Sequence, residues 1–251
     1  MALLQEATFH LIREIQKGSG TVPKHLETIK DKFCDLHRIY ASDFQVLSQK
    51  ADRSTCRKEY SRGGQTIHRG FYSPSRMDMV TGGMHRGKLL KGLPRSFKNL
   101  YEYHFDSQGR LIRVIKYGDI PNSPVETEFL IFESDCVCSF TFDFKYSLHY
   151  ITECVYNDSK IIRYVTALCS TAIDNICIEI NEEFSEYDDF GLLKVLHWQR
   201  YMPNSRLLTH GRYTFQRGED QQILAYIAED LSTPHSSVAP RLYRALDPRD
   251  R

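Results

Sequence analysis

Five aromatic residues, each closing an alternating stretch and each followed by a polar turn, recur at Phe105, Phe132, Tyr156, Tyr187 and Phe215, with spacings of 27, 24, 31 and 28 residues. The turns are Asp106-Ser107-Gln108-Gly109, Glu133-Ser134-Asp135, Asn157-Asp158-Ser159, Asp188-Asp189-Phe190-Gly191 and residues 216–220. Apolar–polar alternation on both sides of a short Gly-, Asn- or Asp-bearing turn is the pattern of a β-hairpin. Each repeat unit is therefore one hairpin, and a single hairpin is at best marginally stable in water. The units have to stack edge to edge, so residues 97–230 are expected to form an antiparallel β-meander of about ten strands. The load of 15 Tyr and 14 Phe suits half-buried pleated surfaces.

The rest of the chain reads differently. In residues 1–50 the apolar positions fall at three- and four-residue steps, as Leu4, Ala7, Leu11 and Ile15, and again as Leu26, Ile29, Phe33, Leu36 and Tyr40. That is the period of amphipathic helices, with Asp43 to Gln49 expected as a third short one. Residues 51–96 form a basic connection punctuated by Gly63-Gly64, Gly70, Gly82-Gly83, Gly87 and Gly92, expected to hold one or two short elements. Residues 231–251, with Pro234, Pro240 and Pro248, read as a tail that folds back or stays loose. The fold class implied is α+β, mainly β, with a helical N-terminal segment leading into the meander. The first residues lack a basic stretch followed by an apolar one, which points to a cytoplasmic location.

A net charge of +1 conceals a segregation along the chain. Residues 51–100 hold 11 Lys and Arg against 3 acids, whereas residues 126–189 hold 14 acids against Lys145, Lys160 and Arg163. The acids concentrate at Asp174, Glu179, Glu182, Glu183, Glu186, Asp188 and Asp189, with no Lys or Arg between 174 and 189. Unpaired like charges repel and call for a cation or a basic partner. On a regular strand Glu182 would share the face of Ile178 and Ile180, so a bulge or strand end is expected near Asn181.

No catalytic or cofactor signature emerges. Gly82-Gly83-Met84-His85-Arg86-Gly87-Lys88 lacks the order of a phosphate-binding loop, and no Gly-x-Ser-x-Gly elbow occurs. The seven cysteines contain no Cys-x-x-Cys pair; Cys136 and Cys138 share a strand face, but no second Cys/His pair stands near them, so no metal is expected. The string Tyr101-Glu102-Tyr103-His104-Phe105-Asp106-Ser107-Gln108-Gly109-Arg110-Leu111 resembles the YD (RHS-type) repeat, and Tyr187-Asp188-Asp189-Phe190-Gly191-Leu192-Leu193 is a looser match. Meanders of this kind occur among immunity proteins that accompany bacterial polymorphic toxins. Together with the acidic stretch and the absence of catalytic signatures, the resemblance implies a non-catalytic protein that neutralises a basic, nuclease-type toxin through an acidic sheet surface. The alternative uses the basic segment, with Arg62, His68, Arg69, Arg86 and Lys88 as contacts to nucleic acid and Tyr60, Phe71, Tyr72 and Phe97 as stacking partners. A third possibility is that the basic segment covers the chain's own acidic sheet.

Overall fold

The computed structural model describes residues 23–63, 69–80, 87–120, 123–170, 176–219, 221, 223–232 and 241–244. The helix expected from Leu4 to Ile15 lies outside these. Two helices come first, α1 (Lys24–Tyr40) and α2 (Phe44–Ser54), the latter longer than its apolar spacing indicated. The basic stretch then supplies β1 (Arg57–Arg62), a 3-10 turn at Gly70–Tyr72, a short α3 (Arg76–Val80) and β2 (Lys88–Leu89). The meander follows as β3 (Leu100–Phe105), β4 (Leu111–Tyr117), β5 (Pro124–Phe132), β6 (Cys136–Asp143) and β7 (Leu148–Asn157). It continues through β8 (Lys160–Cys169), β9 (Cys177–Tyr187), β10 (Leu193–Met202), β11 (Leu207–Arg217) and β12 (Ile223–Asp230) to β13 (Arg241–Arg244).

Among the described residues all thirteen strands belong to one antiparallel sheet, in the order β13 to β3 followed by β1 and β2. The ten strands β3 to β12 lie in chain order, as the hairpin repeat required. The basic connection departs from its reading, because β1 pairs along its full six residues with β3, from Arg57 opposite Phe105 to Arg62 opposite Leu100. The tail also joins the sheet, through β13 against β12. Among the described residues no helix is long and apolar enough to cross a membrane.

Three turns share one construction. Asp106 accepts the N–H groups of Gln108 and Arg110, both at 2.9 Å, and Gly109 has φ +76°. Asp188 accepts from Phe190 and Leu192, with Gly191 at φ +77°. Asp143 does the same for Lys145 and Ser147, with Tyr146 at φ +63°. The carboxylate satisfies the turn amides while the left-handed fourth residue reverses the chain.

Helices cover one face of the sheet. Leu26, Ile29 and Phe33 of α1 and Leu47 and Ala51 of α2 are buried with Phe129, Phe140, Phe142, Ile151, Val165 and Ile180. Tyr40 rests on Phe140 with ring centroids 4.0 Å apart, and Phe44 meets Phe129 and Phe142 edge-on. Burying a side chain of this size contributes about 1.5–3 kcal/mol, so the helical stripes are what turns this face into a core. The opposite, inner face is crossed by residues 69–80. Phe71 N–H donates to Tyr103 Oη of β3 at 2.8 Å, while the Arg76 N–H donates to Glu183 of β9 at 2.8 Å. In a flat sheet those strands stand six inter-strand steps, roughly 29 Å, apart. Five residues of extended chain reach at most about 18 Å. The sheet is therefore curled into a trough around this strap. Gly70 is required in it: φ is +50°, and a Cβ would lie 2.6 Å from Tyr103 Oη and 2.7 Å from the Tyr101 ring.

Candidate functional site

The floor of the trough joins an aromatic cluster, in which Phe71 and Tyr72 of the strap pack against the buried Tyr101, Tyr103, Phe105 and Tyr164, to a row of polar residues. Cross-strand pairing puts Glu128, Thr141, Ser139, Thr152, Thr166 and Glu183 on the inner face, and all six are buried. The strap is fastened at two points. Arg69 (5% exposed) donates through Nε to Glu128 Oε1 at 2.6 Å. Further along, Glu183 receives the Ser75 hydroxyl at 2.6 Å and the N–H groups of Arg76 and Met77 at 2.8 and 3.1 Å. Burial pushes the Glu183 carboxyl up to about 7 against those donors, and the neighbouring Asp78 adds to the rise.

Beside this second fastening, between α3 and strands β7 to β10, lies a cavity of about 300 Å³ lined by Ser75, Asp78, Tyr150, Tyr164, Thr166, Asn181, Glu183, Trp198 and Arg200, among others. The Tyr164 hydroxyl and the Trp198 indole N–H are buried and have no hydrogen-bond partner among the described residues. Burial holds the Tyr164 phenol well above its ordinary range, so it is a donor at neutral pH. A smaller cleft of about 180 Å³ lies where α2 meets β5. Its Asp106 and Arg110 already satisfy each other, so it presents less unmet polarity.

The seven acids singled out in the sequence do not form a bare surface. Glu182 is fully buried on the helical face, receiving Gln199 Nε2 and Arg163 Nε, the latter at 2.6 Å, with His25 Nε2 at 3.3 Å. Burial pushes its carboxyl up, but His25 and Arg163 outweigh it and hold it below its ordinary value. Glu183 is 3% exposed under the strap. Glu179 is paired with Arg200 and Asn181, and Glu186 with His197 at 2.8 Å. Asp188 serves its turn; Asp189 is exposed; Asp174 lies outside the described residues. The bulge expected near Asn181 is absent. β9 runs unbroken from Cys177 to Tyr187, and Glu182 keeps the face of Ile180 because a buried pairing network receives it there.

The basic set is likewise divided. Arg69 is buried on Glu128, whereas Arg62 and Lys88 are exposed and directly opposed on the β1–β2 edge. His68 and Arg86 lie outside the described residues. Sequence reasoning missed Tyr164, Trp198, Ser75 and Asp78. The chain's single Trp, set among alternating residues of a strand, was the available signal. Glu133 carries no ligand spacing in the sequence, yet its carboxylate gathers with Cys136 and Cys138.

No protein-family model matches this chain, and no curated protein matches it.

Proposed function

We propose that this chain works by binding, and that the inner-face cavity takes a small polar ligand whose oxygens accept hydrogen bonds from Tyr164 and Trp198. The observation that carries this reading is one cavity lined by two residues, Tyr164 and Trp198, whose buried donors have no partner among the described residues. Each unmet donor costs about 1–3 kcal/mol, an expense recovered when a ligand supplies the acceptor. The volume matches the lower end of ligand pockets, roughly 300–1,000 Å³. Arg200 is already paired with Glu179, and Asp78 and Glu183 add carboxyl groups that burial holds toward the neutral form. Among the described residues the wall therefore offers no free cation to an anion and favours uncharged or cationic ligands.

The acidic wall favours a second form of the same reading. A partner protein, including a basic toxin of the kind the YD-like resemblance implies, would insert a Lys or Arg side chain here. It would not lie across an acidic face, since that face is engaged internally. A phosphate-binding role rests on Arg62 and Lys88 without Arg69, which is committed to Glu128.

Thermal-shift and saturation-transfer measurements with polyols, nucleosides, and lysine- or arginine-bearing peptides separate the two forms. At least one class is expected to stabilise the wild-type chain and to lose that effect in Tyr164→Phe and Trp198→Phe. Stabilisation that survives both substitutions, or none from any class, would overturn the assignment.

A further inference from the structure

Away from the cavity, the β5–β6 hairpin brings three metal-ligating groups together. Cys136 and Cys138 are two residues apart on β6 and so point to the same face. Glu133 sits in the preceding turn, where its N–H donates to the Cys136 carbonyl at 2.9 Å. The two sulfurs and one Glu133 oxygen all lie within 4.8 Å of one another, and Cys136 Sγ is 3.3 Å from Glu133 Oε2. Around a tetrahedral zinc, with bonds of about 2.3 Å to sulfur and about 2.1 Å to oxygen, neighbouring ligands stand about 3.6–3.8 Å apart. The trio lies within about an ångström of three corners of that tetrahedron.

We infer that this hairpin binds a soft divalent cation of the zinc class through Cys136, Cys138 and Glu133, leaving the fourth corner open. Thiolate sulfur selects zinc, cobalt or cadmium over magnesium and calcium. The burial gradient fits an entry path: Glu133 is exposed, Cys136 half-buried and Cys138 buried among the apolar residues of the helical face. Charge fits too. Two thiolates and a carboxylate carry −3, so the divalent ion leaves −1. The Lys32 ammonium stands close by, bound to Glu153, the residue paired with Cys138 across the strand. As each metal–sulfur bond forms, the thiol proton passes to solvent, so two protons leave per ion.

The test is titration of the full, reduced chain with Co²⁺, followed by Zn²⁺. A thiolate-to-cobalt charge-transfer band is expected to saturate at one ion per chain and to vanish on zinc addition. Cys136→Ser and Cys138→Ser should abolish it, and Glu133→Gln should weaken binding about tenfold or more. Cys56→Ser, at an exposed thiol elsewhere, should leave it intact. No band, an undiminished band in Cys136→Ser, or a band lost only on replacing Cys34 or Cys56 would overturn the inference. Should the cysteine variants fail to fold, as read by near-ultraviolet dichroism, Glu133→Gln in its exposed turn decides it, since unaltered cobalt affinity there sinks the site.

Discussion

Glu182 and Glu183 are neighbours on β9, yet they stand on opposite faces of the sheet and are stabilised by opposite means. On the helical face Glu182 meets Arg163, His25 and Gln199, and its charge is favoured. On the inner face Glu183 meets a hydroxyl and two backbone amides, and burial raises it to about 7, so that about half of it is protonated at pH 7. The difference extends to the faces themselves. The helical side is an aromatic and aliphatic core with its charges paired, whereas the inner side combines a second aromatic cluster with buried hydroxyls, a strap and a cavity lined by residues whose donors are unmet among the described residues. Two residues that sequence placed in one acidic run thus belong to two different problems, one of stability and one of recognition.

The sharpest way to break the comparison is at the first fastening of the strap. Glu128→Leu leaves Arg69 buried without its carboxylate, and a loss of about 3–5 kcal/mol in urea unfolding is expected. The double variant Arg69→Met/Glu128→Leu should recover most of it. If the single variant costs under about 1 kcal/mol, the strap is not a structural part of the trough.

The next effect is one of pH. Glu183 titrates near 7 in the folded chain and at its ordinary value, 4.5, when unfolded. Between those values the folded state holds a proton that the unfolded state has released, so stability falls as pH rises from about 4.5 to 7, then levels. The span corresponds to about 3 kcal/mol. Glu182 has the reverse sign: its folded value is depressed, so its contribution is present above its ordinary value and disappears as pH falls through the folded one. Unfolding free energies measured across pH should lose the neutral-side slope in Glu183→Gln and the acid-side loss in Glu182→Gln. Matching profiles for the two variants would erase the distinction between the faces.

The smallest effect contrasts two tyrosines of the inner face. Tyr103 Oη is bonded to Ser61 and to the Phe71 N–H, so Tyr103→Phe should cost about 1–2 kcal/mol. Tyr164→Phe removes a hydroxyl that has no partner among the described residues and should be neutral or slightly stabilising in the ligand-free protein. Equal losses in thermal melts of the two variants would mean that Tyr164 is satisfied within the fold.

The meander was legible because period-two alternation and turn chemistry are local. Asp106, Gly109, Asp188 and Gly191 announce their turns in the sequence, while Asp143 was passed over because Tyr146, not Gly, takes the left-handed position. The strap was illegible for the opposite reason. Its residues have no period of their own, and Arg69, Ser75 and the amides of α3 gain meaning only from Glu128 and Glu183, more than fifty residues away. The acidic run misled because composition records how many charges a segment carries, not which side of a strand each one faces or what waits there.

The strap also constrains the order of assembly. Neighbouring strands of the meander are close in sequence and can zip together early, since short loops close at little entropic cost. The strap enters between β1 and β2, and its last fastening, on β9, must wait for most of the meander to be made. Hairpins built from the N-terminal side would leave a half-rolled trough with Arg69 seated and residues 75–77 still swinging free. Deletion of the hairpins beyond β8 would arrest the chain at that stage, with its inner wall open to water.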